Sequence, residues 1–148
     1  MDLDDFRTMA AGEQGLVVVA TARADGSIQS TLVNAGVMDH PVTGAPVVAF
    51  VAVGGSLKLR NLRARPRATV TVRSGWRWGT VEGSTELAGP DDVLAGVTGE
   101  HADGVPALLR GIFTAAGGTH DDWDEFDATM ARERRAGVFV TPGRVYGV

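Results

Sequence analysis

The residues whose types and spacing could do chemistry lie close together between Ser56 and Pro66. Ser56 is a good N-cap, and Pro66 stops the helix that the pattern predicts over Leu57–Ala64. The free N–H groups at the start of a helix attract an anion, whereas a cation such as Lys58 in the first turn opposes the helix dipole. The stretch therefore indicates an anion site, with a solvated basic surface helix as the alternative.

Two further side chains could serve such a site. Asn61 lies three residues after Lys58 and is predicted to share its helix face, and Arg65 would share it too if the helix runs that far. An ammonium, an amide and a guanidinium could together hold a phosphate. Half of the 14 basic residues fall in one stretch without an acidic residue: Lys58, Arg60, Arg63, Arg65, Arg67, Arg73 and Arg77. On a chain of net charge −4 this patch favours a small anionic ligand over nucleic acid.

The elements that must position these residues are mostly strands. Strands are predicted over Gly15–Arg23, Ile28–Met38, Ala45–Val53, Arg67–Arg73, Trp76–Leu87, Gly137–Thr141 and Arg144–Val148. Helices are predicted over Asp2–Glu13, from Pro90, over Val105–Ala116 and after a cap at Thr119. The sum is a mainly-β protein, a six- to seven-stranded antiparallel barrel with peripheral helices. The apolar run Leu16–Val19 predicts that the first strand is covered on both faces.

Length and composition exclude several classes of protein. With 148 residues, the chain is expected to form one domain over 1–148. It has no cysteine, which excludes thiolate chemistry, and it contains no apolar run long enough to cross a membrane. The acidic start of the chain lacks the basic residues of a secretory signal, so we expect a cytoplasmic protein.

Neither the histidines nor the sequence motifs indicate metal-dependent or hydrolytic chemistry. His40, beside Pro41, is expected to be exposed in a turn, and His101 and His120 are expected in loops. No two of them have ligand spacing on one element, so we expect no metal site. The chain also lacks Walker, Gly-x-Gly-x-x-Gly and Gly-x-Ser-x-Gly motifs, which leaves hydrolases and the common nucleotide folds without support.

The motif Ser56-x-Lys58-x-x-Asn61-Leu62-x-x-x-Pro66 resembles the phosphate-binding helix of the pyridoxamine 5'-phosphate oxidase-like split-barrel flavoproteins. Three other motifs, in the same order, are similar to that family: Thr21-x-x-x-Asp25-Gly26 with Gln29-Ser30-Thr31, then Trp78-x-x-Val81-x-Gly83, and Arg144-Val145-Tyr146-Gly147. The last resembles the end of actinobacterial members that use the deazaflavin F420. The similarity runs from about Gly15 to the end of the chain.

The resemblance implies a homodimer of split barrels with its cofactor sites in the groove between subunits. Family members carry FMN or F420, and a few bind haem or FAD. The residues implied at the cofactor phosphate are Ser56, Lys58, Arg60 and Asn61. Those implied along the ring are Gln29, Ser30 and Thr31. Trp76 or Trp78 could supply an aromatic wall, from the same subunit or its partner.

The sequence departs from the family's pattern at two places. The stretch from Gln29 to Val37 has no cation, which argues against a pyridoxamine-phosphate oxidase, and Gly55-Ser56-Leu57 lacks the basic residue that many deazaflavin-binding members have there. We expect an F420-dependent reductase that transfers a hydride to a small conjugated or planar substrate. The alternatives are an FMN- or haem-binding oxidoreductase of the same fold and a non-catalytic cofactor-binding protein. Tyr146 and His40 are the only candidate proton donors.

Overall fold

The computed structural model describes residues 1–98 and 104–148, and His101 lies outside them. Within these residues the chain forms four helices and six strands. In chain order they are α1 (Leu3–Gly12), β1 (Leu16–Ala22), β2 (Ile28–Asp39), β3 (Pro46–Ala52), α2 (Leu57–Ala64), β4 (Arg67–Ser74), β5 (Arg77–Ala88), α3 (Gly104–Ala115), α4 (Trp123–Arg132) and β6 (Ala136–Gly147). None of these helices has the length and apolar character needed to span a membrane.

The strands close into an antiparallel barrel in the order β1-β2-β3-β6-β5-β4. A tight turn joins β1 to β2, where Gly26 has a φ of +85° and the Ser27 N–H donates to the Asp25 carboxylate at 2.9 Å. Side chains that alternate along each strand fill the interior, among them Val19 on β1, Val70 on β4 and Val81 on β5. The prediction of a mainly-β antiparallel barrel with peripheral helices is confirmed.

Helices α1 and α2 close the two ends of the barrel. The Asp2 carboxylate caps α1 by accepting the Asp5 N–H at 2.8 Å, and Phe6 on that helix is fully buried in the barrel core. At the other end, α2 buries Leu59 and Leu62 in the same core. Helix α2, for which the sequence analysis predicts an anion site, therefore contributes to the barrel's hydrophobic core.

Helices α3 and α4 cover the outer face of β3 and β6, and α3 also packs on the end of β2 around Gly36. Along β3, Val48 and Phe50 point into the barrel, whereas Val47 and Ala49 point outward and join a second hydrophobic cluster beneath the helices. This two-sided burial explains the unbroken apolar run of β3, because neither face of the strand meets water.

The outer face of β1 is bare, so the prediction that β1 is covered on both sides is wrong. Leu16 and Val18 are 42% and 43% exposed, while their neighbours Val17 and Val19 are buried. The apolar run on β1 looks the same as that on β3, but no helix of the described residues covers it.

Three predicted boundaries also differ from the structure. Residues 90–92 form a turn with a bridge between Gly89 and Asp92, not a helix, because Asp91 and Asp92 pair with Arg134 and Arg63. Helix α4 is capped by Asp122, whose carboxylate accepts the Glu125 N–H at 3.1 Å, and not by Thr119. The two predicted final strands are one strand, β6, whose register against β5 shifts next to Gly83.

Candidate functional site

A cavity of about 630 Å³ lies where the α3–α4 pair, β2, the end of β3 and the start of α2 meet. Its walls are mainly apolar, and Leu32, Val53, Phe113, Phe126 and Met130 contribute to them. Its polar lining includes Lys58, Arg135, His120 and Glu125. A mostly apolar pocket with a few convergent charged groups is typical of a small-molecule site.

Lys58 brings an uncompensated positive charge to this cavity. Its ammonium lies 5.8 Å from the centroid of the buried Phe50 ring, and no carboxylate among residues 1–98 and 104–148 forms a salt bridge with it. Partial burial lowers the pKa of Lys58, and the nearby positive charge of Arg135 lowers it further. An anion placed here would relieve both effects.

The backbone before α2 leaves the helix start open. Gly55 has a φ of +77°, and the space where its side chain would lie is empty. The Ser56 hydroxyl accepts the Leu59 N–H at 3.4 Å, which is a long capping bond. Arg60, two residues beyond Lys58, is exposed and forms no side-chain hydrogen bond or salt bridge within the described ranges.

Asn61 has different surroundings from Lys58. It is buried, and its amide nitrogen donates to the Thr21 hydroxyl at 3.1 Å and to the Gln29 side-chain oxygen at 3.3 Å. Its amide oxygen accepts a 3.4 Å bond from Arg65, which also donates to the Ala22 carbonyl at 2.8 Å. These bonds tie α2 to β1 and β2, so the structure places Asn61 in a positioning network and not in the cavity wall.

The predicted ring-contacting residues of β2 lie just before the part of the strand that reaches the cavity. Gln29 belongs to the Asn61 network, and Ser30 is exposed on the outer face. The Thr31 hydroxyl is buried without a hydrogen-bond partner among the described residues. Residues 32–34 line the cavity instead. The sequence analysis missed them because Leu32 and Val33 carry no chemical signal.

Trp78 and Tyr146 lie together on β5 and β6, which are three and two strands from β2 by the shorter way around the barrel. Their rings meet edge to face with centroids 6.0 Å apart, and the Tyr146 hydroxyl donates to Glu82 at 2.8 Å. That hydrogen bond raises the pKa of Tyr146. Trp76, at the tip of the β4–β5 turn, is 99% exposed. None of these side chains lines the cavity within one chain.

His40 is buried, so the prediction that it is exposed is wrong. Its Nε2 lies 3.0 Å from Glu86, and its Nδ1 accepts the N–H groups of Val42 and Thr43 at 3.1 and 3.2 Å. The ring also packs on Phe139. These contacts make His40 the anchor of the turn before β3 and place it away from the cavity lining.

The basic stretch from Lys58 to Arg77 is only partly available to a ligand. Arg63 forms two bonds to Asp92 at 2.8 and 2.7 Å, Arg65 is used in the Asn61 network, and Arg73 donates to the Gly75 carbonyl. The sequence analysis missed the other cation that faces the cavity, Arg135, because it lies 77 residues after Lys58.

No protein-family model matches this chain. Solved structures share its fold at low sequence identity. A protein described as an F420 reductase is 20% identical, with a TM-score of 0.58 over 88% of each chain. An FMN-binding protein related to pyridoxamine 5'-phosphate oxidase from Nostoc punctiforme is 14% identical, with a TM-score of 0.63 over 96% of this chain and 78% of the other. The haem-storage protein HutZ from Vibrio cholerae is 11% identical, with a TM-score of 0.61 over 99% and 94%. The chain therefore has the fold of the split-barrel proteins.

Proposed function

We propose that this protein is an F420-dependent oxidoreductase that transfers a hydride from the reduced deazaflavin to a small conjugated or planar substrate. The observation that carries the proposal is Lys58, a half-buried ammonium without a carboxylate partner among the described residues, in the wall of an apolar cavity. A cofactor that joins a flat ring to a phosphate matches both the charge and the apolar surface of that cavity.

The size and lining of the cavity fit such a cofactor. A volume of about 630 Å³ lies within the roughly 300–1,000 Å³ usual for ligand pockets. Lys58 and the start of α2 would hold the phosphate, and apolar side chains such as Leu32 and Phe126 would pack against the ring. The bound deazaflavin would supply the hydride, while the protein would orient the ring and exclude water.

Two features favour F420 over FMN. The F420 tail carries carboxylates in addition to its phosphate, and Arg60 is exposed two residues beyond Lys58 with no side-chain partner in the described parts of the chain. The strand stretch from Gln29 to Val37 also lacks the cations expected of an FMN-using oxidase. The fold shared with a protein described as an F420 reductase is consistent with this choice.

We also propose that the functional unit is a homodimer, with a second copy of the chain against the bare β1–β2 face. Outward residues of this face are apolar and exposed: Leu16, Val18, Ile28 and Leu32. Leu32 also lines the cavity, so a partner on this face would border the cofactor. Trp76 and Trp78, which are remote from the cavity in their own chain, would then be available to the partner's site.

The test is a fluorescence titration of the purified protein with F420 and, in parallel, with FMN. We expect saturable binding that is tighter for F420, and a loss of about tenfold or more in Lys58→Ala because a charge-assisted hydrogen bond is removed. The matched control is Arg7→Ala, which removes one cation from α1 at the opposite end of the barrel. It should bind like the wild type.

The other outcomes separate the remaining functions. Tighter binding of FMN would move the protein to the flavin-dependent oxidoreductases, and a Soret band on addition of haem without F420 binding would favour haem binding. F420 binding without oxidation of the reduced cofactor by any of a panel of conjugated acceptors would favour a cofactor carrier. Binding of none of the three would overturn the proposal.

A further inference from the structure

A second cation reaches the cavity from a distant part of the chain. Arg135 lies in the connection between α4 and β6 and lines the same cavity as Lys58. Its side chain is 27% exposed. In the barrel, β6 pairs with β3 so that Ala136, the next residue, lies opposite Ala52 at the end of β3. Arg135 therefore reaches the site through the closure of the barrel.

Gly54 makes this approach possible. Its N–H donates to the Glu133 carbonyl at 3.0 Å, so the α4–β6 connection is hydrogen-bonded to the loop that leads into α2. A Cβ at position 54 would lie 2.4 Å from the Arg134 carbonyl oxygen and 2.9 Å from that of Glu133. The absence of a side chain thus allows the backbone that carries Arg135 to pack directly against the start of the anion-site helix.

One of the two cations has a carboxylate partner, and the other has none among the described residues. Arg135 Nε donates to a carboxylate oxygen of Glu133 at 2.9 Å, and its Nη2 lies 2.8 Å from the same oxygen in a salt bridge. Glu133 thus neutralises one of the two cations and holds the guanidinium. Lys58 has no such partner in the described ranges, and its pKa is lowered in part by the charge of Arg135. Two cations that repel each other in a partly buried site are stabilised when an anion lies between them.

Two other polar groups line the cavity. Glu125, on α4, contributes a carboxylate to the lining, and His120 contributes an imidazole whose Nδ1 accepts the Asp122 N–H at 3.0 Å. A carboxylate repels an anion, so the anionic group of a ligand is favoured beside Lys58 and Arg135.

We propose that Arg135 is a second anion-binding residue of this cavity and that it grips a phosphate or phosphodiester group together with Lys58. The inference rests on the proposed function in taking the anion to be the cofactor's. A phosphorylated substrate would supply the same chemistry. Arg135 thereby takes the role of the basic residue that the sequence lacks immediately before Lys58.

The experiment measures binding of inorganic phosphate to the full-length protein by calorimetry, in the wild type, Arg135→Gln, Arg135→Lys and the control Arg7→Gln. Loss of a charged partner should weaken binding about tenfold in Arg135→Gln. Arg135→Lys should recover part of the affinity, and Arg7→Gln should change it less than twofold. Equal affinity of Arg135→Gln and the wild type would overturn the inference.

A second readout reports on the coupling between the two cations and does not require a cofactor. In Arg135→Gln the pKa of Lys58 should rise, because one of the two causes that lower it is removed. The alkaline loss of phosphate binding should then move to higher pH. A side chain with only a structural role would leave that pH profile in place, so an unchanged profile would also overturn the inference.

Paired ligands identify the source of the anion and keep the two proposals separate. If the anion belongs to a cofactor, Arg135→Gln should weaken the binding of FMN or F420 but not that of riboflavin or of the deazaflavin ring without its tail. If phosphate binding depends on Arg135 while no ring compound binds, Arg135 remains an anion ligand and the cofactor proposal fails.

Discussion

The barrel has two apolar outer faces that differ in how far they are buried. On the β3–β6 face, Val47, Ala49 and Phe139 are buried beneath α3 and α4. On the β1–β2 face, Ile28 and Leu32 remain 57% and 66% exposed. Both faces carry apolar side chains, yet among the described residues the helices cover β3, β6 and the end of β2 and leave β1 and the first half of β2 exposed. The apolar composition of a strand therefore does not indicate which element covers its outer face.

The cavity lies at the seam between these two faces. Phe113 and Phe126 reach it from the covering helices, and Leu32 reaches it from the bare face. One wall is therefore complete within the chain, while the other borders surface that a second copy would bury. The following predictions test this contrast, from the largest expected effect to the smallest.

The covered face should be the more sensitive to loss of an apolar side chain. Leu109 on α3 is 2% exposed, and Leu109→Ala should lower the free energy of unfolding by about 2–5 kcal/mol, since it leaves a cavity in a packed cluster. Val18→Ala on the bare face should change it by less than about 0.5 kcal/mol in the monomer. Urea denaturation monitored by circular dichroism measures both. Similar losses at the two positions would contradict the contrast.

A charge introduced on the bare β1–β2 face should weaken the association of two copies of the chain. Leu32→Glu should weaken dimerisation by about 2 kcal/mol or more, because two carboxylates would enter an apolar interface. Analytical ultracentrifugation over a dilution series measures the dissociation constant. Ala128→Glu adds the same charge to an exposed position of the covering helix α4 and should leave association unchanged. A wild-type protein that is monomeric at all concentrations would remove the second copy from the site.

The protein should be more stable without the positive charge of Lys58, at the edge of the cavity, than with it. Lys58→Met should raise the free energy of unfolding by roughly 0.3–1 kcal/mol, because it removes an uncompensated cation from the first turn of α2. The folded-state pKa of Lys58 is lowered, so between that pKa and its ordinary value the unfolded chain binds more protons. Stability from this group therefore rises with pH in the alkaline range.

Urea denaturation of the wild type and Lys58→Met at pH 7 and pH 10 checks this prediction. The stabilising effect of the substitution should be largest at pH 7 and should shrink at pH 10, where the wild-type lysine begins to lose its proton. Arg7→Met serves as the control, since Arg7 pairs with Asp4 on the surface of α1. A Lys58→Met protein that is less stable than the wild type at both pH values would contradict the prediction, since the lysine would then stabilise the fold.

Much of the fold could be predicted from the local pattern. The Asp25-Gly26 turn, the range of α2 and the alternation along β4 follow from turn chemistry, capping and period-2 burial, which depend on near neighbours. The prediction of a helix from Pro90 is wrong because the carboxylates of Asp91 and Asp92 pair with Arg134 and Arg63, which are distant in sequence. The prediction that His40 is exposed is wrong for the same reason, since its ring bonds to Glu86 and packs on Phe139, both distant in sequence.

The candidate site also combines features that the local sequence predicts with features that depend on the tertiary structure. The sequence by itself determined that Ser56 caps a short helix with Lys58 in its first turn, because capping and helix geometry are local. Only the tertiary structure decided that Asn61 and Arg65 tie the helix to β1, that residues 32–34 face the cavity and that Arg135 stands with Lys58. The last of these juxtapositions arises from the pairing of β3 with β6, which brings Lys58 and Arg135 to the lining of one cavity although they are far apart in the chain.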